Sequence, residues 1–201
     1  VVGGVARRVW ALIAWRVAVM VWCRQLRIEG RSKVPNRPVV VVANHASHAD
    51  TVVLQYVLAT CHERPVLVAG AEDYWFRNAL VGIAARLLGV FAFPRTGDIG
   101  VRRTRRALMR HSTVVLFPQG SRSGGHFRAG VGRIVDGIDA VVIPVHLDGP
   151  SDLLPKGHLW PRRTDVVVRF GDPAIMRPDE APEAFAARLE DIVLRDLASV
   201  P

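Results

Sequence analysis

Two histidines and an aspartate stand close together in the stretch Asn44–Asp50, NHASHAD, directly after the apolar run Val39–Ala43. Ser47 followed by Asp50 matches the start of a helix, with a capping carboxylate in the first turn. The same carboxylate is within plausible reach of one ring nitrogen of His45. It would then fix the imidazole and leave the other nitrogen free to accept a proton. The residues alone favour neither the helix start nor the proton-transfer site.

Metal binding is a third interpretation of this stretch, because His48 could act as a ligand beside His45 and Asp50. No further His or Cys cluster follows at ligand spacing, so we expect no metal site. The isolated Cys23 and Cys61 predict neither a disulfide framework nor a metal pair, and they fit a reducing compartment.

A second apolar run, Thr113–Phe117, ends in a turn that contains Gln119, Gly120, Ser121 and Arg122. Backbone amides, a hydroxyl and a guanidinium in one glycine-rich turn suit an anionic oxygen. The order of residues in GSRSG excludes a serine nucleophile elbow, since the central residue is arginine, and no P-loop lysine follows.

Arg95 follows a third apolar run, GVFAF, and a proline. A base at one strand end and arginines at two others suggest proton removal beside a bound phosphate.

These strand ends belong to an alternating pattern that predicts an α/β fold: a mainly parallel sheet covered by helices on both faces. In such folds ligands bind beyond the carboxyl ends of the strands. Strands are predicted at Gln25–Glu29, Val39–Ala43, Val66–Ala69, Val90–Phe93, Thr113–Phe117, Ala140–Leu147 and Asp165–Phe170. Helices are predicted at His48–Ala59, Glu72–Leu88, Gly97–Arg110 and Ala181–Ser199, and residues 149–164 as a long surface loop.

Residues 1–24 form an apolar segment with three tryptophans and four arginines. Arginine near the middle of the segment disfavours a membrane-spanning helix. The segment could be a core-packing helix, but we favour a helix at a membrane interface, with tryptophans at headgroup depth and arginines reaching phosphates. We therefore expect two parts, this amino-terminal helix and a domain over residues 25–201. Because the first residue is Val, the chain could be a piece of a longer protein.

The net charge of +9 arises from arginine, which supplies all but two of the 27 basic residues. Such a balance points to a phosphorylated substrate, a membrane surface or nucleic acid. Nucleic acid is disfavoured, because no aromatic residues are interleaved with the basic runs and no known binding motif is present.

Taken together, the motifs resemble those of the glycerolipid acyltransferase family, the 1-acylglycerol-3-phosphate acyltransferases and their relatives. The His-x4-Asp motif is matched by His45 through Asp50, and the arginine block by GVFAFPR, which ends at Arg95. FPQGSRS, residues 117–123, matches Phe-Pro-Glu-Gly-Thr-Arg-Ser, and VVIPVHL, residues 141–147, matches a strand with a central proline. The chain departs from this pattern at Gln119, where the family usually has Glu.

The resemblance implies transfer of a fatty acyl group from a thioester of coenzyme A or acyl carrier protein to a hydroxyl of a glycerol phosphate or lysophospholipid. His45 would be the general base and Asp50 would orient it. Arg95 and Arg122, with Gly120 and Ser121, would hold the acceptor phosphate, and Gln119 would contact a hydroxyl.

No metal or redox cofactor is implied, and the expected location is the cytoplasmic face of a membrane. The alternative is a catalytically inactive domain that binds lipid or phosphate within a larger protein.

Overall fold

A single seven-stranded sheet forms the centre of the computed structural model, which describes residues 13–61, 64–94, 96–122, 124–154 and 160–200. The strands are β1 (Cys23–Glu29), β2 (Val39–Ala43), β3 (Val66–Ala71), β4 (Val90–Phe93), β5 (Thr113–Leu116), β6 (Val141–Asp148) and β7 (Thr164–Phe170). Their order across the sheet is β1-β7-β6-β2-β5-β3-β4. Of these neighbouring pairs, β6 and β7 alone run antiparallel. The predicted, mainly parallel α/β fold is confirmed.

Helices cover both faces of this sheet. They are α1 (residues 13–22), α2 (Ala49–Cys61), α3 (Glu72–Trp75), α4 (Ala79–Leu87), α5 (Ile99–Met109), α6 (Gly130–Val135), α7 (Pro150–Leu153) and α8 (Pro182–Asp191). A 3₁₀ turn at Arg31–Lys33 and a π-helical turn at Ile192–Asp196 complete the pattern.

The central strand β2 consists of four valines and an alanine, all buried, and it divides the core in two. Successive side chains of a strand point to opposite faces. Val39, Val41 and Ala43 pack with residues of α1, α2, α4 and α7. Val40 and Val42 pack with residues of α5, α6 and α8. The unbroken apolar run is therefore explained by burial on both faces.

One helix prediction and one loop prediction require correction. The helix predicted at Glu72–Leu88 is interrupted at residues 76–78, and α4 starts anew where the Asn78 side chain accepts the Leu80 N–H at 2.9 Å. The loop predicted at residues 149–164 begins with the short helix α7, whose Leu153 is buried. Residues 155–159 lie outside the described residues. Helix α6 has no counterpart among the predicted helices.

The described part of the amino-terminal segment is helical and contacts the domain. Val19 is buried, and Trp15 Nε1 donates to Gln55 Oε1 of α2 at 3.2 Å. Residues 1–12 lie outside the described residues, so the interfacial role and the division at residue 24 stay predictions. None of the helices in the described ranges is long and apolar enough to cross a membrane.

Gly132 lets α6 approach the start of α8. A Cβ atom at this position would lie 2.4 Å from Cα and 2.5 Å from the carbonyl oxygen of Pro182. We expect Gly132→Ala to lower the free energy of unfolding by about 1–3 kcal/mol, because backbone must move to admit the methyl group.

Gly130 is the matched control, since a Cβ there meets nothing within 4 Å. Gly130→Ala should be neutral or stabilising by up to ~1 kcal/mol, as expected for alanine in a helix. Urea unfolding of both variants measures the difference, and equal stabilities would contradict this account of the helix contact.

Candidate active site

The register of β2 and β5 brings the two predicted motifs together. Val42 lies opposite Leu116, and His45 and Gln119 are each three residues further along. Parallel strands end at the same edge of the sheet, so these residues meet there. The Oε1 atom of Gln119 accepts the backbone N–H of His45 at 2.9 Å. Gln119 thus supports the histidine directly, a contact that the sequence analysis did not predict.

Asp50 holds His45 and the start of α2 with one oxygen. Its Oδ2 lies 2.8 Å from His45 Nδ1, and it accepts the backbone N–H groups of Ala46 at 2.8 Å and Ser47 at 2.9 Å. The Asp50 side chain is 1% exposed and that of His45 is 16% exposed. The carboxylate serves as a helix-start acceptor and as a partner of the imidazole. With Nδ1 engaged, Nε2 is the ring nitrogen left for chemistry.

Two more side chains hold the segment around His45. Asn44 exchanges two hydrogen bonds with the backbone of Leu147 in β6, at 2.9 Å and 2.8 Å. Ser47 donates from Oγ to the Leu154 carbonyl at 2.9 Å. The His45 ring also stacks on Phe117, with centroids 4.2 Å apart. Hydrogen bonds to the sheet and ring stacking therefore fix the position of the imidazole.

The glycine-rich segment after β5 folds back on itself. The Arg128 N–H donates to the Pro118 carbonyl at 3.1 Å, and the Arg128 guanidinium lies over Gly120, where a Cβ would meet it at 3.2 Å. Gly120 has φ 67°, a conformation that favours glycine. Ser121 Oγ donates to the Gly124 carbonyl at 3.2 Å.

Glu190 of α8 holds the far side of this segment. Its carboxylate accepts the Phe127 N–H at 2.6 Å and contacts His126 Nδ1 at 2.8 Å. The segment is thereby anchored on a helix more than sixty positions away in the chain.

His48 lies beside the site in a cluster with Tyr74, Trp75 and Arg122. Its Nε2 is 3.0 Å from the Tyr74 hydroxyl, and the Arg122 guanidinium lies 5.9 Å from the Tyr74 ring centroid. Burial, with the positive charge of Arg122 nearby, lowers the pKa of His48 to about 4. The second histidine of NHASHAD is therefore neutral at neutral pH.

A cavity of about 530 Å³ opens at this edge of the sheet. Of the predicted site residues, His45, Gly120, Ser121 and Arg122 line it, whereas Asp50 and Gln119 lie behind His45. Arg95 lies outside the described residues. The preceding Phe93 and Pro94 line the cavity.

Sequence reasoning missed two arginines of the cavity, Arg128 and Arg133, which are exposed at its surface. Spacing alone gave no signal for them, because the backfolding of the segment brings Arg128 over Gly120. Deeper in, the lining is apolar and buried: Val68, Val90, Leu116, Val131 and Ile134. The cavity thus combines a cationic surface region with an apolar interior.

No group of three His, Cys, Asp or Glu side chains within the described part of the chain is arranged to hold a metal ion.

An imidazole held by a buried carboxylate, beside arginines and an apolar cavity, is a site suited to proton transfer on an amphipathic anionic substrate. Residues 25–148 match the model of the Acyltransferase family, which is more than half of the chain. The chain belongs to the Acyltransferase family and is an acyltransferase, as the sequence resemblance predicted.

Among solved structures, the chain is similar to the 1-acyl-sn-glycerophosphate (LPA) acyltransferase PlsC from Thermotoga maritima. The match has a TM-score of 0.77 and 22% sequence identity, and it covers 96% of this chain and 79% of that one. It establishes the fold. A comparison with curated proteins finds no match.

Gln119 offers a test of how the histidine is held. Gln119→Met is close in size but lacks the oxygen, so the His45 N–H loses its acceptor. We expect a loss of about 1–3 kcal/mol in unfolding free energy and a fall of roughly tenfold or more in acyl-transfer rate as the imidazole shifts.

Gln119→Glu is the control, because it restores the oxygen and adds only charge. It should retain most of the parental rate. Steady-state kinetics with urea unfolding compares the two, and equal losses in both variants would show that the oxygen acceptor is not what matters.

His48 predicts a specific pH dependence of stability. Its folded-state pKa of about 4 lies below the ordinary value of 6.5, so folding favours the neutral ring. The resulting contribution to the free energy of unfolding is complete above pH ~6.5. It is lost as pH falls towards 4, because over this range the unfolded chain binds a proton at His48 more readily than the folded chain does. Urea unfolding at pH 7 and pH 4.5 should therefore show a smaller acid loss for His48→Gln than for the parent. The same acid loss in both proteins would contradict this assignment.

Proposed function

We propose that this acyltransferase moves a fatty acyl group from a thioester of coenzyme A or acyl carrier protein to a hydroxyl of a glycerol phosphate or lysophospholipid, in phospholipid synthesis. The observation that carries the proposal is the place of His45. Its ring lines a cavity that combines an arginine-bearing surface with an apolar interior. A glycerol phosphate lipid has the same division into an anionic head and a hydrocarbon chain.

His45 acts as the general base of this reaction. Nδ1 is held by Asp50, so Nε2 takes the proton of the acceptor hydroxyl as its oxygen attacks the thioester carbonyl carbon. The carbon–sulfur bond then breaks, and the imidazolium returns its proton to the departing thiolate. Asp50 stabilises the imidazolium, and catalysis of this kind contributes typically ~10²–10⁴ in rate. The chain's own side chains supply each proton transfer in this scheme.

Arginines hold the acceptor phosphate in the proposed complex. Arg122 lines the cavity with Gly120 and Ser121, and Arg128 extends the same cationic surface. Guanidinium groups pair with phosphate oxygens through two parallel hydrogen bonds, which positions the acceptor as well as binding it. Arg95 belongs to this proposal by resemblance alone. The buried valines, leucine and isoleucine of the cavity take hydrocarbon chain.

The proposed location is the cytoplasmic face of a membrane, where the acceptor lipid resides. The exposed apolar side chains of α1, Ile13, Val17, Met20 and Val21, recur on one helical face and support interfacial binding.

The rival proposal is a lipid- or phosphate-binding domain without activity. It is suggested by position 119, where this chain has no carboxylate. Gln119 supplies an oxygen that accepts the His45 N–H, so its contact needs no charge. This favours the active enzyme.

The proposal is tested by measuring thiol release from acyl-coenzyme A with a series of acceptors, some with a terminal phosphate and some without. Release should require a phosphate-bearing acceptor. A parental protein that releases no thiol above background, with coenzyme A or carrier-protein donors, would support the inactive domain instead.

Variants of the histidine and its partner test the mechanism in the same assay. Asp50→Asn should lower kcat by at least ~10², because the amide cannot stabilise the imidazolium. His45→Ala should be at least as severe, and the double variant little worse, because the two residues act as one unit.

His48→Ala is the internal control and should keep kcat within a few-fold, since the His48 ring lines the cavity but contacts Tyr74 rather than the Asp50 carboxylate. A folded Asp50→Asn protein with the parental kcat would contradict the proposed mechanism.

A further inference from the structure

Helix α4 presents its large apolar side chains outward. Its buried residues are the small Gly82 and Ala85. Leu80, Ile83 and Leu87 share the outer face at 76%, 53% and 55% exposure, with Val81 beside them at 44%. A surface helix of a soluble protein has the opposite arrangement, with large apolar residues facing the core. The outer face of α4 is thus built for an apolar environment.

The charged residues within α4 and directly before it are positive. The helix contains no acidic residue, Arg86 lies in its last turn, and Arg77 precedes its first. The Arg86 guanidinium lies over the Phe76 ring, 5.0 Å from its centroid. Glu72 of the preceding α3 is paired with Arg103 at 3.6 Å. An apolar face bordered by arginines complements an anionic lipid surface.

Helices α1 and α4 approach each other at Gln55 on one side of the sheet. Trp15 of α1 donates to the Gln55 oxygen, and Gly89, just after α4, lies so close that a Cβ there would meet the same oxygen at 3.3 Å. Eight of the fifteen exposed large apolar residues in the described ranges lie on these two helices. Exposed apolar residues are thus concentrated on two neighbouring helices, whereas singly scattered ones are normal for a protein surface.

We propose that the outer face of α4, residues Leu80, Val81, Ile83 and Leu87, docks on an anionic lipid bilayer beside α1. The residues before α4 connect this surface to the cavity, because Tyr74 and Trp75 of α3 line the cavity. The bilayer then lies next to residues that line the cavity of His45. The docking surface does not depend on the acyl-transfer chemistry, and its test reads membrane binding alone.

The test uses the full chain and vesicles of equal parts phosphatidylcholine and phosphatidylglycerol. The triple variant Leu80→Ser, Ile83→Ser and Leu87→Ser should bind these vesicles on the order of tenfold more weakly in flotation assays. Its matched control is Met109→Ser, Ile138→Ser and Ile175→Ser, which removes exposed apolar residues outside the α1–α4 surface. The control should bind as the parent does.

A fluorescent label reports insertion even if the triple variant folds poorly. An environment-sensitive dye on Ile83→Cys, in a Cys61→Ser background, should shift to the blue when vesicles are added, whereas the same dye on Met109→Cys should not. The remaining Cys23 is buried.

Three results would overturn the proposal. They are unchanged vesicle binding by a folded triple variant, a dye on position 83 that ignores vesicles, and a dye already blue-shifted without them. The third result means that residues 1–12 or a second copy of the chain covers α4, and sedimentation with and without those residues separates the two. Thiol release from soluble short-chain donors should be unaffected in the triple variant, so failure here is distinct from failure of the proposed function.

Discussion

The site depends on how three successive backbone N–H groups are satisfied where β2 leaves the sheet. His45, Ala46 and Ser47 have no strand partner for these donors, and buried donors must find acceptors. Gln119 accepts the first, and a single oxygen of Asp50 accepts the other two together with the His45 ring. An aspartate buried to 1% exposure is stable only with such donors around it. The same bonds that stop the strand therefore hold the imidazole.

The position of these donors is in turn set by the sheet. Gln119 reaches His45 because β2 and β5 are neighbours in one register, and Asn44 reaches Leu147 because β6 lies on the other side. A slip of one residue in either pairing would carry His45 away from Gln119 or Asn44 away from Leu147. The register of these pairings therefore sets the distances in the site.

Local features of this arrangement could be predicted from the sequence, and contacts between distant segments could not. The His45–Asp50 pair spans five residues across a helix start, so spacing placed the carboxylate within reach of the ring but did not distinguish this contact from a helix cap. The predicted contact of Gln119 with substrate stays a prediction. Its bond to the His45 backbone could not be predicted, because that bond depends on a pairing register that no local pattern encodes. Glu190 accepts a hydrogen bond from the segment that follows Arg122, although it lies over sixty residues away in the chain. Likewise, the Glu72–Leu88 pattern predicted a helix but could not show that α4 turns its large residues outward.

In the proposed mechanism, the charged groups at the cavity separate phosphate binding from proton transfer. Arg122, Arg128 and Arg133 line the cavity and present guanidinium groups to it. His48, close to Arg122, is neutral because burial lowers its pKa to about 4. It therefore adds no charge that would change with pH around neutrality. In the proposed mechanism, phosphate binding by the arginines is therefore separate from proton transfer, which falls to His45 with its ring held by Asp50.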